Sequence, residues 1–143
     1  MLSSGVESSS GAGQYEAERY EALWAAVIQS FTDDRSLWLA TLEALVQAEH
    51  SDDLRRYLSG GQVEGRTDLA ALLRGTPEDE VDDATARTLG ATQLALFTGL
   101  MTQWLTDPDQ APRAPEVVTG LRALGGIVGP RTWSCVSSDE SDA

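Results

Sequence analysis

One stretch constrains the fold of this chain more than any other. Residues 84–105 read ATARTLGATQLALFTGLMTQWL, without a proline or an acidic residue. At about 1.5 Å per residue they make a helix roughly 33 Å long, the width of a small domain. Leu89, Ala91, Leu94, Ala95, Phe97, Leu100, Met101, Trp104 and Leu105 leave it little room for a solvated face. A helix that is apolar nearly all round belongs at the centre of a bundle or between subunits. Ala91, Ala95 and Gly99 fall four apart and form a strip of small side chains that lets another helix come close. Packing within the subunit and a subunit interface both fit that strip. A membrane span needs about 20 predominantly apolar residues. Thr88, Thr92, Gln93, Thr98, Thr102 and Gln103 argue against one here.

Four further helical patterns accompany it. Over residues 15–31, Tyr20, Leu23, Trp24, Val27, Ile28 and Phe31 recur at three and four and predict one buried face. Thr32-Asp33-Asp34 breaks this helix and caps the next, over residues 35–49, with Leu37, Trp38, Leu42, Leu45 and Val46 expected inside. Ser51 is a fitting N-cap for residues 52–73, with Asp52 and Asp53 in the first turn. Its expected inward positions are Leu54, Tyr57, Leu58, Gly61, Gly65, Leu69 and Leu72. The register survives Gly60-Gly61, so one helix with a weak point is expected; each glycine costs about 1 kcal/mol against alanine. Gly75 suits the position after a helix, and residues 74–83 read as a loop with a single turn inside. After the proline loop DPDQAPRAP, Pro115 opens a last helix with Val117, Val118, Leu121, Leu124 and Val128 on its apolar face. The expected fold is an all-α bundle of five helices, the last two forming an antiparallel hairpin.

At 143 residues the chain reads as one domain. Residues 1–14, rich in Ser and Gly, are expected to be a flexible lead-in. Residues 129–143, which lack a period, are expected to be a disordered tail. The formal charge is −13, and every basic residue is an arginine. That acidity makes the chain a poor ligand for nucleic acid or anionic membranes. Cys135 is the single cysteine, so no internal disulfide forms and a reducing, cytoplasmic setting is the default. The N-terminal segment lacks the basic and apolar regions of a signal peptide.

Catalytic constellations are missing. His50 is the single histidine and sits at a helix junction, where a surface or capping role is expected; no Cys/His pair or zinc cluster can be assembled. The acidic run Glu78, Asp79, Glu80, Asp82, Asp83 lacks the turn glycine of a divalent-ion loop and reads as a solvated helix start. Gly60-Gly61 and Gly125-Gly126 match no phosphate-binding spacing. No catalytic residue, metal or cofactor is expected. The aromatics offer more: Trp24, Phe31, Trp38, Tyr57, Phe97 and Trp104 lie on the apolar faces of four helices. Bulky flat groups in a bundle core can leave a pocket for an apolar ligand, or simply pack. Gln93, Thr98 and Thr102 can supply that pocket's hydrogen bonds, or satisfy backbone carbonyls.

The runs YEALWAAVIQSF, DRSLWLATLEALVQAEHSDDLRRYL, EGRTDLAALL, LGATQLALFTGLMTQWLTDPDQAP and VVTGLRAL, in this order over residues 15–124, resemble the C-terminal regulatory domain of TetR/AcrR-type transcriptional regulators. The most telling part is Gly99-Leu100 with Gln103-Trp104-Leu105 before Asp107-Pro108. The resemblance implies an all-α regulatory domain over residues 15–128, a pocket for a small apolar effector, and a homodimer formed mainly by the last two helices. It further implies repression relieved when the effector shifts two N-terminal helix-turn-helix heads. Nothing ahead of Tyr15 reads as such a head, so DNA contact is expected only through a domain this sequence does not carry. Position and amphipathic face nominate Trp24, Phe31, Trp38, Phe97, Thr98 and Met101 for the pocket. Ala91, Ala95, Gly99, Trp104, Val118 and Leu121 are nominated for the dimer. The alternatives are a headless module that pairs with intact regulators, and a ligand-binding bundle unrelated to transcription.

Overall fold

The computed structural model describes residues 7–130. Among these residues there are five helices and no strand. They are α1 (Glu7–Asp33), α2 (Arg35–Gln47), α3 (Asp52–Arg74), α4 (residues 83–106) and α5 (Ala114–Val128). The all-α class is as expected from the sequence. A short 3-10 turn, Ala48–His50, joins α2 to α3, and another, Glu78–Glu80, interrupts the loop before α4.

The core gathers the faces of α1, α4 and α5. Trp24, Ile28 and Phe31 from α1 meet Leu100, Met101 and Leu105 from α4, with Ala114 and Val117 from α5. Every position from Tyr20 to Phe31 that the helical period marked as apolar is buried or half-buried. Hydrogen bonds pin this arrangement. The Tyr20 hydroxyl donates to Gln93 Oε1 at 2.6 Å. The Arg35 guanidinium donates to the Leu105 carbonyl at 2.8 Å, and the Trp104 indole N–H donates to the Pro112 carbonyl at 3.0 Å. The last two tie up α4's C-terminal end and the loop beyond it, where backbone acceptors would otherwise lack partners.

The central helix is not uniform. Asp83–Thr85 and Ala91–Thr106 are α-helical, and Ala86–Gly90 between them is a π-turn stretch. It lies against α3, and Gly90 is the point of closest approach. A Cβ built on Gly90 would fall 1.9 Å from the Arg66 carbonyl oxygen, so no larger residue fits without moving one helix. The strip of small residues named from the sequence lies elsewhere: Ala91 is half-buried, and Ala95 and Gly99 are exposed.

The caps of α3 and α5 follow the sequence, whereas Asp34, at the N-cap of α2, makes no side-chain cap hydrogen bond. Ser51 Oγ accepts from the Leu54 N–H at 3.3 Å. Gly75 closes α3 in the left-handed region, at φ 65°, a conformation that favours glycine. The Glu116 carboxylate accepts from the Arg113 N–H at 2.9 Å and starts α5. Helix α3 runs unbroken through Gly60-Gly61.

Several expectations need correction. Helix α1 begins at Glu7 rather than at Tyr15. Residues 11–14 of this extension are exposed; adding turns to an existing helix costs far less than nucleating one. On α2, Leu37, Leu45 and Val46 are exposed instead of inward, and no residue of that helix is fully buried. Helix α2 is apolar over more than one face, and only Trp38 and Leu42 reach the core. On α3, Tyr57, Gly61 and Leu72 are exposed, and the buried positions are Ala70 and Ala71. The close approach of α4 at Gly90 to α3 at Arg66 sets which face of α3 turns inward. On α5, Leu124 and Val128 are exposed. Residues 1–6 of the expected lead-in, and residues 131–143 of the expected tail with Trp133 and Cys135, lie outside the described residues.

Candidate functional site

A cavity of about 550 Å³ opens between α2, α3 and α4, within the range of small-molecule sites. Leu45 on α2, Leu58 on α3 and Leu94, Phe97 and Met101 on α4 supply its apolar surface. Met101 is buried, and Leu58, Leu94, Phe97 and Thr98 are half-buried. The exposed rim comes from α3, as Arg56, Tyr57, Gly60, Gly61, Gln62 and Glu64. Glycines at the rim keep side chains out of the opening: a Cβ on Gly60 or Gly61 meets no atom within 4 Å.

Behind the cavity stands an aromatic cluster. Phe31, Trp38 and Phe97 pack edge-on, with ring centroids 5.4 to 5.5 Å apart. Phe97 belongs to both the cluster and the cavity wall, which couples the cavity to the core. Trp38 is fixed by its indole N–H, which donates to the Ser30 carbonyl at 2.9 Å.

Half of the polar side chains at the cavity are committed within their own helices. Thr41 Oγ1 donates to the Leu37 carbonyl and Thr98 Oγ1 to the Leu94 carbonyl, both at 3.0 Å. With their hydrogens spent on the preceding turn, both hydroxyls keep only acceptor capacity. The Arg56 guanidinium pairs with Asp53 on its own helix. Glu64 has no ion-pair partner among the described residues.

Of the residues nominated for the pocket, Phe97, Thr98 and Met101 line the cavity. Phe31 and Trp38 stand one layer behind it. Trp24 lies in the core, 2% exposed, edge-on to Tyr20 at 6.3 Å. Gln93 is taken by Tyr20, and Thr102 Oγ1 donates to the Thr98 carbonyl at 2.9 Å. Apart from Tyr57, which the aromatic set included, the α3 contribution was missed, because Leu58, Gln62 and Glu64 follow a plain amphipathic pattern. The available signal was Gly60-Gly61 in the middle of a helix, where glycine costs stability and calls for a reason.

Of the residues nominated for the dimer, Ala91, Ala95 and Gly99 line a shallower groove of about 350 Å³ on α4. It shares Gln62, Leu94 and Thr98 with the cavity. Trp104 and Leu121 are half-buried against the subunit's own core, and Val118 is buried. A wider cleft of about 690 Å³ beside Arg19, Asp68 and Glu78 is walled largely by exposed residues and the loop after α3. Its apolar side chains are Leu23, Ala71, Leu72 and Pro77, without the aromatic ring and the methionine that floor the α2–α3–α4 cavity.

No described helix is long and apolar enough to cross a membrane. The family model for the C-terminal domain of BetI-type transcriptional repressors matches residues 16–126. No curated protein and no solved structure matches the chain.

Proposed function

The chain belongs to the family of BetI-type transcriptional repressor C-terminal domains, and from that premise we propose that it senses a small, largely apolar effector and dimerises. The observation that carries the sensing half is the 550 Å³ cavity between α2, α3 and α4. Its apolar body and few polar groups suit a ligand held by burial and oriented by one or two hydrogen bonds. An effector seated there touches Phe97 and Thr98 directly. Through Phe97 it bears on Phe31 and Trp38, and so on α1 and α2. In a protein that also has a DNA-binding head, such a shift is the means of relieving repression. Trp38 is the built-in reporter: an occupant against Phe97 changes its fluorescence and raises the melting temperature, as binding to the native state requires. A broad panel of apolar molecules that moves neither signal would overturn the sensing half.

For dimerisation, the support is the small-residue groove on α4, with Ala95 and Gly99 exposed, and separately the apolar α5 residues that face solvent. Ile127 and Val128 are each 78% exposed. A second copy crossing at Gly99 covers that groove. Sedimentation equilibrium should then give a dimer, and Gly99→Arg should give a monomer with an unchanged helical spectrum. An unaffected dimer would move the interface elsewhere. The same strip is where a headless chain would join an intact regulator, and subunit exchange with a full-length relative tests that reading.

A further inference from the structure

We propose that the α4 groove takes a second copy of this chain running antiparallel across Gly99, and that Arg66 of one copy pairs with the partner's Asp107 at each end of the contact. This inference rests on that groove being the dimer face, and it names the residues that choose the partner and its direction.

Arg66 stands on α3 where α4 comes closest, its own carbonyl facing Gly90. It is half-buried and lines the groove beside Ala91 and Ala95. Its Nε is shut off from water without a hydrogen-bond partner, and its guanidinium has no ion-pair partner among the described residues. An arginine stays charged, so an apolar cover over this groove would leave the charge buried and unpaired. Whatever covers it must bring an acceptor, and a carboxylate matches the guanidinium best. Between Asp83 and Asp107 the sequence holds no acidic residue, so a second α4 brings a carboxylate only from its ends. At the near end Asp82 is spent on the Thr85 N–H, and Asp83 lies sixteen residues from Gly99. Asp107 is exposed and has no ion-pair partner among the described residues. It lines a second groove of about 330 Å³ that meets the first at Thr102, so one trench runs along α4 from Arg66 to Asp107. Ala91 lies eight residues before Gly99 and Asp107 eight after it. An antiparallel crossing at Gly99 therefore brings Asp107 of one copy level with Ala91 of the other, beside Arg66. A parallel crossing sets Asp107 against Asp107 and leaves Arg66 unanswered. The two-fold makes the pairing reciprocal, so each dimer holds two pairs. Two chains of charge −13 repel each other, and opposite signs at the contact offset that repulsion.

The test is charge reversal in the whole chain, read by sedimentation equilibrium and native mass spectrometry. Arg66→Glu alone and Asp107→Arg alone should each raise the dimer dissociation constant at least about tenfold, because each sets like charges together twice in a homodimer. Asp107→Arg also makes the chain less acidic, so general repulsion predicts a tighter dimer where the pair predicts a weaker one. Mixing the two variants in equal amounts should restore a heterodimer: the two reversals answer each other at one end, and the native Arg66 and Asp107 pair at the other. Circular dichroism checks that each variant keeps its helices. If Arg66→Glu does not fold, Arg66→Gln carries the same prediction with a smaller weakening. If the wild-type chain is a monomer, or Gly99→Arg leaves its dimer intact, the groove is not the dimer face and the pair falls with it. If Gly99→Arg breaks the dimer while the single reversals leave it unchanged, or their mixture stays monomeric, the pair is overturned and the dimer face stands. If Arg66→Glu leaves the dimer intact and abolishes octanoate binding seen by calorimetry in the wild type, Arg66 serves a free carboxylate and the pair is overturned.

Discussion

Helices α1 and α2 carry the same kind of apolar spacing, and the fold treats them differently. On α1, Trp24 and Phe31 end up 2% exposed, with Ile28 between them. On α2 no residue is fully buried, and Leu37 and Val46 are 60% and 68% exposed. The α1 side is closed over by α4 and α5, and the two faces of its core interdigitate. The α2 side stands away from α3 and leaves a cavity instead. A packed half holds the molecule together while a looser half can admit a ligand, because repacking a wall with few buried contacts costs little.

Substitutions that break the packed half have the largest expected effect. Phe31→Ala removes the ring shared by the core and the aromatic cluster and should cost about 3–5 kcal/mol in chemical denaturation. A loss under about 1 kcal/mol would mean the two halves are equally loose. Gly90→Ala comes next. Its Cβ meets backbone rather than a side chain that can turn away, so α3 and α4 must separate, at about 1–3 kcal/mol or more. The same change at Gly60, where a Cβ meets nothing, should go the other way and stabilise α3 by up to about 1 kcal/mol. These two glycines sharpen the comparison, because identical chemistry is predicted to take opposite signs. Equal signs would remove the distinction between a close approach and an open rim.

The smallest effect concerns the start of α4. Asp82 accepts from the Thr85 N–H at 2.7 Å, which holds its carboxyl below the ordinary 3.8. A depressed folded value means the stabilisation is fully present above the unfolded value. It is lost as pH falls through the lowered one. Wild type should therefore melt above Asp82→Ala at neutral pH, and the gap should close in strong acid. A gap that widens in acid would assign the cap's benefit to something other than the carboxylate.

The sequence was most legible where local chemistry decides the outcome. Ser51, Gly75 and Pro115 mark helix ends by capping and backbone geometry, and the run from Tyr20 to Phe31 reads its own buried face. It was least legible where a partner decides. The period shows that Leu37, Leu45 and Val46 are apolar, but only the position of α3 determines whether anything covers them. The cavity is half legible for the same reason. Phe97, Thr98 and Met101 could be nominated from the central helix alone. Leu58 and Glu64 join the lining only because Gly90 lets α4 come close to α3 at Arg66. Trp24 and Phe31 were nominated on position and amphipathic face, and that face packs into the core.

Native-state hydrogen exchange, resolved by residue, tests the division into a packed and an open half most directly. Amides of residues 20–31 and 100–105 should exchange only through global unfolding, and those of α2 and residues 57–64 through local opening at distinctly lower free energy. Uniform protection across all five helices, or faster exchange in α1 than in α2, would contradict the account.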